Sequence, residues 1–254
     1  VARSARGAAQ NDVRPAAQRD ERPMSDDGDP VRGPRAGSRA RLTPRSATLF
    51  RGDGLFDRVA RTLCAAGCVP RKELYEAWEV ARRVRRRFRG GRVVDLACGH
   101  GLLAHLMLLL DDSSPAALAV DRRLPPSAAK AAEALCNEWP RLRDRVCFLE
   151  APLGEVALAA GDVVVSAHAC GALTDAVLER AVAAGARVAV LPCCQAKGLP
   201  AASAFAGWLD PALAVDVARV AWLEARGYAV HTQLIPPAVT PKNRLLLAAP
   251  RDSA

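Results

Sequence analysis

The stretch Arg92-Val93-Val94-Asp95-Leu96-Ala97-Cys98-Gly99-His100-Gly101, leading into the apolar run Leu102–Leu110, limits the fold more than any other part of the chain. Its valines favour a strand, its small residues a tight turn, and the run that follows has the length of a helix. Glycine lacks a Cβ, so such a turn can take positive φ and let a ligand approach the backbone. The helix behind it starts with N–H groups that have no acceptor within the helix. A strand that passes into a helix through a turn of this kind points to an open α/β sheet, where ligands lie at the carboxyl edge of the strands. The run from Leu102 to Leu110 is interrupted by His105 and is too short to cross a bilayer, so no membrane partner is expected.

The alternation continues downstream. Candidate strands are Val93–Ala97, Ala117–Val120, Val146–Leu149, Val163–Ala167 and Val188–Leu191, and candidate helices are Leu102–Leu110, Ser127–Glu138, Leu173–Ala184 and Ala212–Arg226. This order implies βαβ units and a parallel sheet. Tyr228–Ile235 and Arg244–Ala248 are joined by Pro236-Pro237 and Thr240-Pro241-Lys242-Asn243 with no helix between them, which predicts an antiparallel hairpin at one edge.

Upstream, residues 1–50 mix Arg, Asp, Gly, Pro, Ser and Ala without periodicity and are expected to form a disordered basic tail. Residues 51–91 read as an N-terminal helical extension: Leu55, Val59 and Leu63, then Leu74, Ala77, Trp78, Ala81, Val84 and Phe88, recur at helical spacing. The second helix ends in the basic run Arg82-Arg83-Val84-Arg85-Arg86-Arg87-Phe88-Arg89 before Gly90-Gly91. Cations there complement the helix dipole and face solvent, or else they form a phosphate-contacting patch. Residues 92–254 are expected to form the α/β domain.

A second strand, Ala117-Leu118-Ala119-Val120-Asp121, ends in an acid about 20 residues beyond the glycine turn, the placement of a carboxylate that accepts ribose hydroxyls. The alternative for Asp95 and Asp121 is turn and helix-capping chemistry. These residues, with the terminal hairpin, resemble the class I S-adenosylmethionine-dependent methyltransferases over about residues 92–249. The resemblance implies a Rossmann-like, doubly wound seven-stranded sheet of order 3-2-1-4-5-7-6, with S-adenosyl-L-methionine as the methyl donor. It assigns the donor's amino-acid end to the loop of Asp95, Ala97, Cys98, Gly99 and Gly101, and the ribose to Asp121. The family often has Asp or Asn after its third strand to meet adenine. Pro152 stands near that position here, so backbone groups of Ala151 and Leu153 are expected to substitute, and Ser166 completes the expected donor contacts.

Strand four ends in Ser166-Ala167-His168-Ala169-Cys170-Gly171 followed by Thr174-Asp175, and strand five in Leu191-Pro192-Cys193-Cys194. These segments resemble a narrower methyltransferase subgroup with His-x-Cys-Gly…Thr-Asp and Pro-Cys-Cys motifs, seen in tRNA 2′-O-methyltransferases that modify the acceptor stem. His168 is a candidate general base, because imidazole titrates near neutrality; orienting a loop is the alternative. Asp175 is a second catalytic candidate, or it begins the following helix. Cys170, Cys193, Cys194 and Asn243 are candidates for an acceptor pocket, while the thiols also suit packing and Asn243 suits a turn. His168 with the three cysteines raises zinc, yet adjacent cysteines diverge in an extended chain, and no metal is expected.

The net charge of +9 is shared between the first 50 residues and the rest, and it fits a polyanionic partner such as RNA. The eight cysteines lack a CxxC pair, and the sequence opens without a charged-then-apolar leader, so a reducing, cytoplasmic setting is expected. The leading functional expectation is methyl transfer to an oxygen or nitrogen of RNA. A catalytically silent donor-binding module that recognises RNA or a partner is an alternative from another class. A nicotinamide-dependent oxidoreductase is a third, because Gly99, Gly101 and Ala104 fit a dinucleotide fingerprint that allows alanine last.

Overall fold

The computed structural model describes residues 36–192, 203–205 and 207–251. Seven strands, β1 (Val93–Leu96), β2 (Ala117–Asp121), β3 (Val146–Glu150), β4 (Val163–Ser166), β5 (Arg187–Val190), β6 (Tyr228–Leu234) and β7 (Arg244–Pro250), form one sheet in the order β3-β2-β1-β4-β5-β7-β6. The first five strands pair in parallel, and β7 runs antiparallel to both β5 and β6. The expected doubly wound sheet and its edge hairpin are both present.

Strand periodicity decides which helices cover which face. Val93, Ala117, Val163, Ala189 and Leu247 point into one apolar layer with α1 (Leu55–Ala66), α2 (Arg71–Arg87), α3 (Leu102–Leu110) and α4 (Pro126–Glu138). Val94, Leu96, Val164, Val188 and Leu246 point into the other with α5 (Ala172–Ala183) and α6 (Pro211–Glu224). The two N-terminal helices therefore share a core with the sheet: Leu63, Leu74 and Val84 are buried in the same cluster as Leu106 and Leu135.

Residues 36–50, expected to belong to a disordered tail, pack onto the fold. Leu42 and Phe50 are buried, and Pro44–Leu49 form a 3-10 turn. The reason is partly a main-chain one. Pro70, the residue before α2, offers no side-chain cap. The carbonyls of Ala40 and Ser38 accept from the N–H groups of Arg71 and Lys72 at 3.0 and 2.9 Å, and Leu42 donates to the Val69 carbonyl at 2.9 Å. The segment thus satisfies helix-start donors that would otherwise be orphaned.

The basic run of α2 is divided by its surroundings. Arg85 is buried, donating to the Met107 carbonyl and to Ser114 Oγ, and it pairs with Asp111 at 3.1 Å. Desolvation lowers its pKa to about 10 despite that carboxylate. Arg82 and Arg83 pair with the buried Glu79, whereas Arg86, Arg87 and Arg89 face solvent. Among the described residues no helix is long and apolar enough to cross a membrane.

Candidate active site

β1 delivers its chain to α3 through a turn in which Ala97, Gly99 and Gly101 have φ of 57°, 56° and 69°. The Cys98 N–H still bonds to the Val120 carbonyl, extending the β1–β2 pairing, and the Gly101 N–H closes back onto the Cys98 carbonyl at 2.9 Å. Cys98 is buried with its thiol pushed strongly upward by desolvation, so its side chain packs under the turn. A Cβ on Gly101 would lie 2.6 Å from Phe148 Cε1, so the aromatic ring of β3 fills the space that any other residue would need.

The two acids have different tasks. Asp95 is buried, and desolvation pushes its carboxyl well above the ordinary range; its Oδ2 accepts from the Ala104 N–H at 3.2 Å and so fixes α3 to the strand. Asp121, at the open end of β2, accepts from the Gly99 N–H at 3.0 Å through one oxygen and from the Arg123 N–H at 3.3 Å through the other. It joins the glycine turn to the adjoining strand end and remains partly exposed. After β3, the Ala151 N–H is committed to the Asp121 carbonyl at 2.9 Å, which removes that donor from the expected adenine contacts. Leu153 starts a 3-10 turn over the second apolar layer.

The loop after β4 is fixed at both ends. Ser166 Oγ accepts from the Ala169 N–H, and Thr174 Oγ1 donates to the Ala169 carbonyl at 2.7 Å. Ser166, expected among the donor contacts, is fully buried and acts as a loop clamp. Between these clamps His168 stands over the glycine turn: its Cδ2 would be 3.7 Å from a Cβ on Gly99. Glu73, in the first turn of α2, stands beside it. Its carboxylate accepts from or pairs with His100 Nδ1 at 2.8 and 3.0 Å and lies 3.9 Å from His168 Nε2. His100 Nε2 in turn meets Ser127 Oγ at 2.9 Å.

Asp175 departs from its expected catalytic place. It forms a two-oxygen pair with Arg219 at 2.7 and 3.2 Å, and that buried guanidinium also binds Asp216 at 3.0 Å, which holds Arg244. A buried cation needs these counter-charges, so Asp175 ties α5 to α6. Asn243, expected in the acceptor pocket, closes the β6–β7 turn instead: its Nδ2 donates to the Ile235 carbonyl and its own carbonyl accepts from the Ile235 N–H, both at 2.9 Å. Cys170 is exposed at the start of the α5 turn, and Cys193 and Cys194 lie outside the described residues. Among the described residues no group of three potential ligands is placed to hold a metal ion. Sequence reasoning missed Glu73 altogether; the only signal was an acid in the first turn of a helix, which the helix dipole alone accounts for.

The residues fit a nucleotide-like donor by their chemistry, a partly exposed carboxylate on Asp121 beside a turn of positive φ. A Cβ on Gly99 would stand 3.8 Å from Glu73 and 3.7 Å from His168, an ordinary contact distance, so these two side chains lie directly against the turn. A family model described as a methyltransferase domain matches residues 72–198, half of the chain. No curated protein sequence matches significantly. Among solved structures, an O-methyltransferase family protein from Burkholderia thailandensis is 21% identical with a TM-score of 0.48, the match covering 82% of this chain and 63% of that one. This chain thus spans less than two thirds of that protein's length. A tRNA methyltransferase from B. subtilis is 17% identical with a TM-score of 0.46, covering 68% and 67%. The magnesium protoporphyrin IX methyltransferase of Synechocystis PCC 6803, with bound SAH, is 14% identical with a TM-score of 0.45, covering 79% and 91%. With the family match starting at the helix that carries Glu73 and running past the His168 loop, the chain belongs to the methyltransferase-domain family.

Proposed function

We propose that this protein transfers a methyl group from S-adenosyl-L-methionine to an oxygen or nitrogen of RNA, with His168 as the base that removes the acceptor's proton. The observation that carries this reading is the position of His168 over Gly99, on a loop clamped by Ser166 and Thr174. The donor, when bound, supplies an electrophilic methyl group on a sulfonium. The start of α3 offers it backbone N–H groups, and Asp121 offers carboxylate oxygens for the ribose hydroxyls. Asp95 and Cys98 support the turn from below. An acceptor O–H or N–H must lose its proton as the new bond to the methyl carbon forms, and the imidazole of His168 takes it.

RNA is favoured as the acceptor by the net charge and by where the charge sits. Arg122 and Arg123 are exposed directly after Asp121, at the rim of the donor cleft, and Arg86, Arg87 and Arg89 are exposed at the end of α2. Phosphates attract such a surface without specifying sequence. The likeness of the His168–Asp175 segment to acceptor-stem tRNA 2′-O-methyltransferases supports the same class, although Asp175 is here engaged with Arg219. Incubation with radiolabelled methyl donor and separated RNA, protein and metabolite pools tests the reading: label is expected in RNA, and label confined to another pool refutes that acceptor. His168→Ala is expected to lower turnover by about 10²–10⁴-fold while leaving donor affinity nearly unchanged.

A further inference from the structure

The structure assigns Glu73 a positioning role: through its carboxylate it holds His168 over the glycine turn with Nε2–H directed toward α2 and Nδ1 left as the proton-accepting nitrogen. This inference rests on the reading of His168 as the base. A single carboxylate on α2 gathers two imidazoles from two other elements, His100 of the glycine turn at 2.8 Å and His168 of the β4–α5 loop at 3.9 Å. Both side chains stand against the same residue of the turn: a Cβ on Gly99 would lie 3.8 Å from Glu73 and 3.7 Å from His168. Glu73 is itself fixed, because its other oxygen also meets His100 Nδ1, at 3.0 Å, and His100 is anchored at the far ring nitrogen by Ser127. The Glu73 side chain is only 12% exposed, so little water competes for it.

The contact with His168 is longer than a hydrogen bond and acts through charge. A carboxylate facing Nε2 favours the tautomer that carries hydrogen there. Nδ1 then holds the lone pair, and it receives the proton that leaves the acceptor as the oxygen or nitrogen bonds to the methyl carbon. The imidazolium so formed is offset by Glu73, as an orienting carboxylate does for a catalytic histidine elsewhere. Glu73 does not touch the reacting atoms and takes no proton itself.

The test compares wild type with Glu73→Gln, which keeps the shape and removes the charge. The chain has four histidines, which makes the imidazole nitrogen and carbon-bound proton resonances assignable by single substitutions. Glu73→Gln is expected to shift the resonances of both His100 and His168 and to leave His231 in place. A shift at His100 with His168 unmoved overturns the inference, whatever the acceptor is. In turnover with tritiated S-adenosyl-L-methionine and unmodified tRNA transcripts, Glu73→Gln is expected to lower kcat about 10- to 100-fold, part of what a general base supplies, with KM and S-adenosylhomocysteine affinity within about twofold. Adding it to His168→Ala should cost nothing further. Full kcat in Glu73→Gln, beside an impaired His168→Ala, refutes the positioning role alone, whereas wild-type turnover in His168→Ala refutes the base reading beneath it.

Discussion

Replacing Gly101 by alanine adds one methyl group where both dihedral and space forbid it. The residue sits at φ 69°, and the new Cβ would lie 2.6 and 2.7 Å from Cε1 and Cζ of Phe148 and 3.4 Å from the Ala119 Cβ. The left-handed conformation costs an L-residue about 1–2 kcal/mol, and forcing extra volume against a packed ring costs about 1–3 kcal/mol. The sum, about 2–5 kcal/mol, corresponds to a drop of roughly 4–20 °C in Tm for a domain of this size. Urea denaturation of Gly101→Ala, Phe148→Ala and the double variant separates the two parts, because only the steric part depends on the ring. The coupling should recover about 1–3 kcal/mol and leave the dihedral cost in place. Since the same turn carries Gly99 and faces Asp121, S-adenosylhomocysteine should also bind Gly101→Ala more weakly. A stability change within about 0.5 kcal/mol, the range of an ordinary surface substitution, would refute the steric argument.

Asp121→Ala should weaken S-adenosylhomocysteine binding by about 1.5–3 kcal/mol for each ribose hydrogen bond lost, as measured by calorimetry, and unchanged affinity would remove Asp121 from the donor site. Asp111→Ala strands the buried Arg85 charge and should cost about 3–5 kcal/mol by denaturation, much of it restored by adding Arg85→Met; an additive double variant would show that the pair is not coupled. Burial lowers the pKa of His105, so the unfolded chain takes up its proton first as acid is added. Its share of stability is therefore complete above about pH 6.5 and declines below it toward the lower folded pKa, and His105→Gln should flatten that part of a stability-against-pH curve. Leu42→Ala should cost about 2–5 kcal/mol, a value near zero being incompatible with its burial against the helical layer.

How much of this the chain discloses before folding depends on how local each signal is. The β1 turn, Asp121 and the edge hairpin are written in short segments whose residue types follow from backbone geometry: glycine where φ is positive, acids where strands end, and a prolyl turn without a helix. Ala97 is the exception, a positive φ without glycine. Glu73 lies outside any such segment, and only the packing of α2 over the turn brings it to His100. Arg85 was legible in principle. It falls on the same helical face as Trp78 and Ala81, at spacings of seven and four, so the run of arginines hid one member that belongs to the apolar stripe. Leu42 and Phe50 had no periodic neighbours, and their burial follows from main-chain bonds that composition does not record.

Those main-chain bonds tie the start of the described chain to the site. The role of Glu73 requires α2 to begin at a fixed place, since an acid in a first turn moves with the fraying of that turn. Fraying is ordinarily restrained by a side-chain cap, and Pro70 supplies none. Here the carbonyls of Ser38 and Ala40 occupy the N–H groups of Lys72 and Arg71, the two residues before Glu73, while Leu42 pairs with Val69 and is buried. At the other end Arg85, about 18 Å along the helix at 1.5 Å per residue, is bonded to the Met107 carbonyl of α3 and paired with Asp111 just beyond it. A rod held at both ends against the helix that follows the glycine turn can neither slide nor roll, so the carboxylate at its start keeps a constant distance from that turn. α2 is thus fixed against the glycine turn, and the segment around Ser38–Leu42 sets where Glu73 stands beside it.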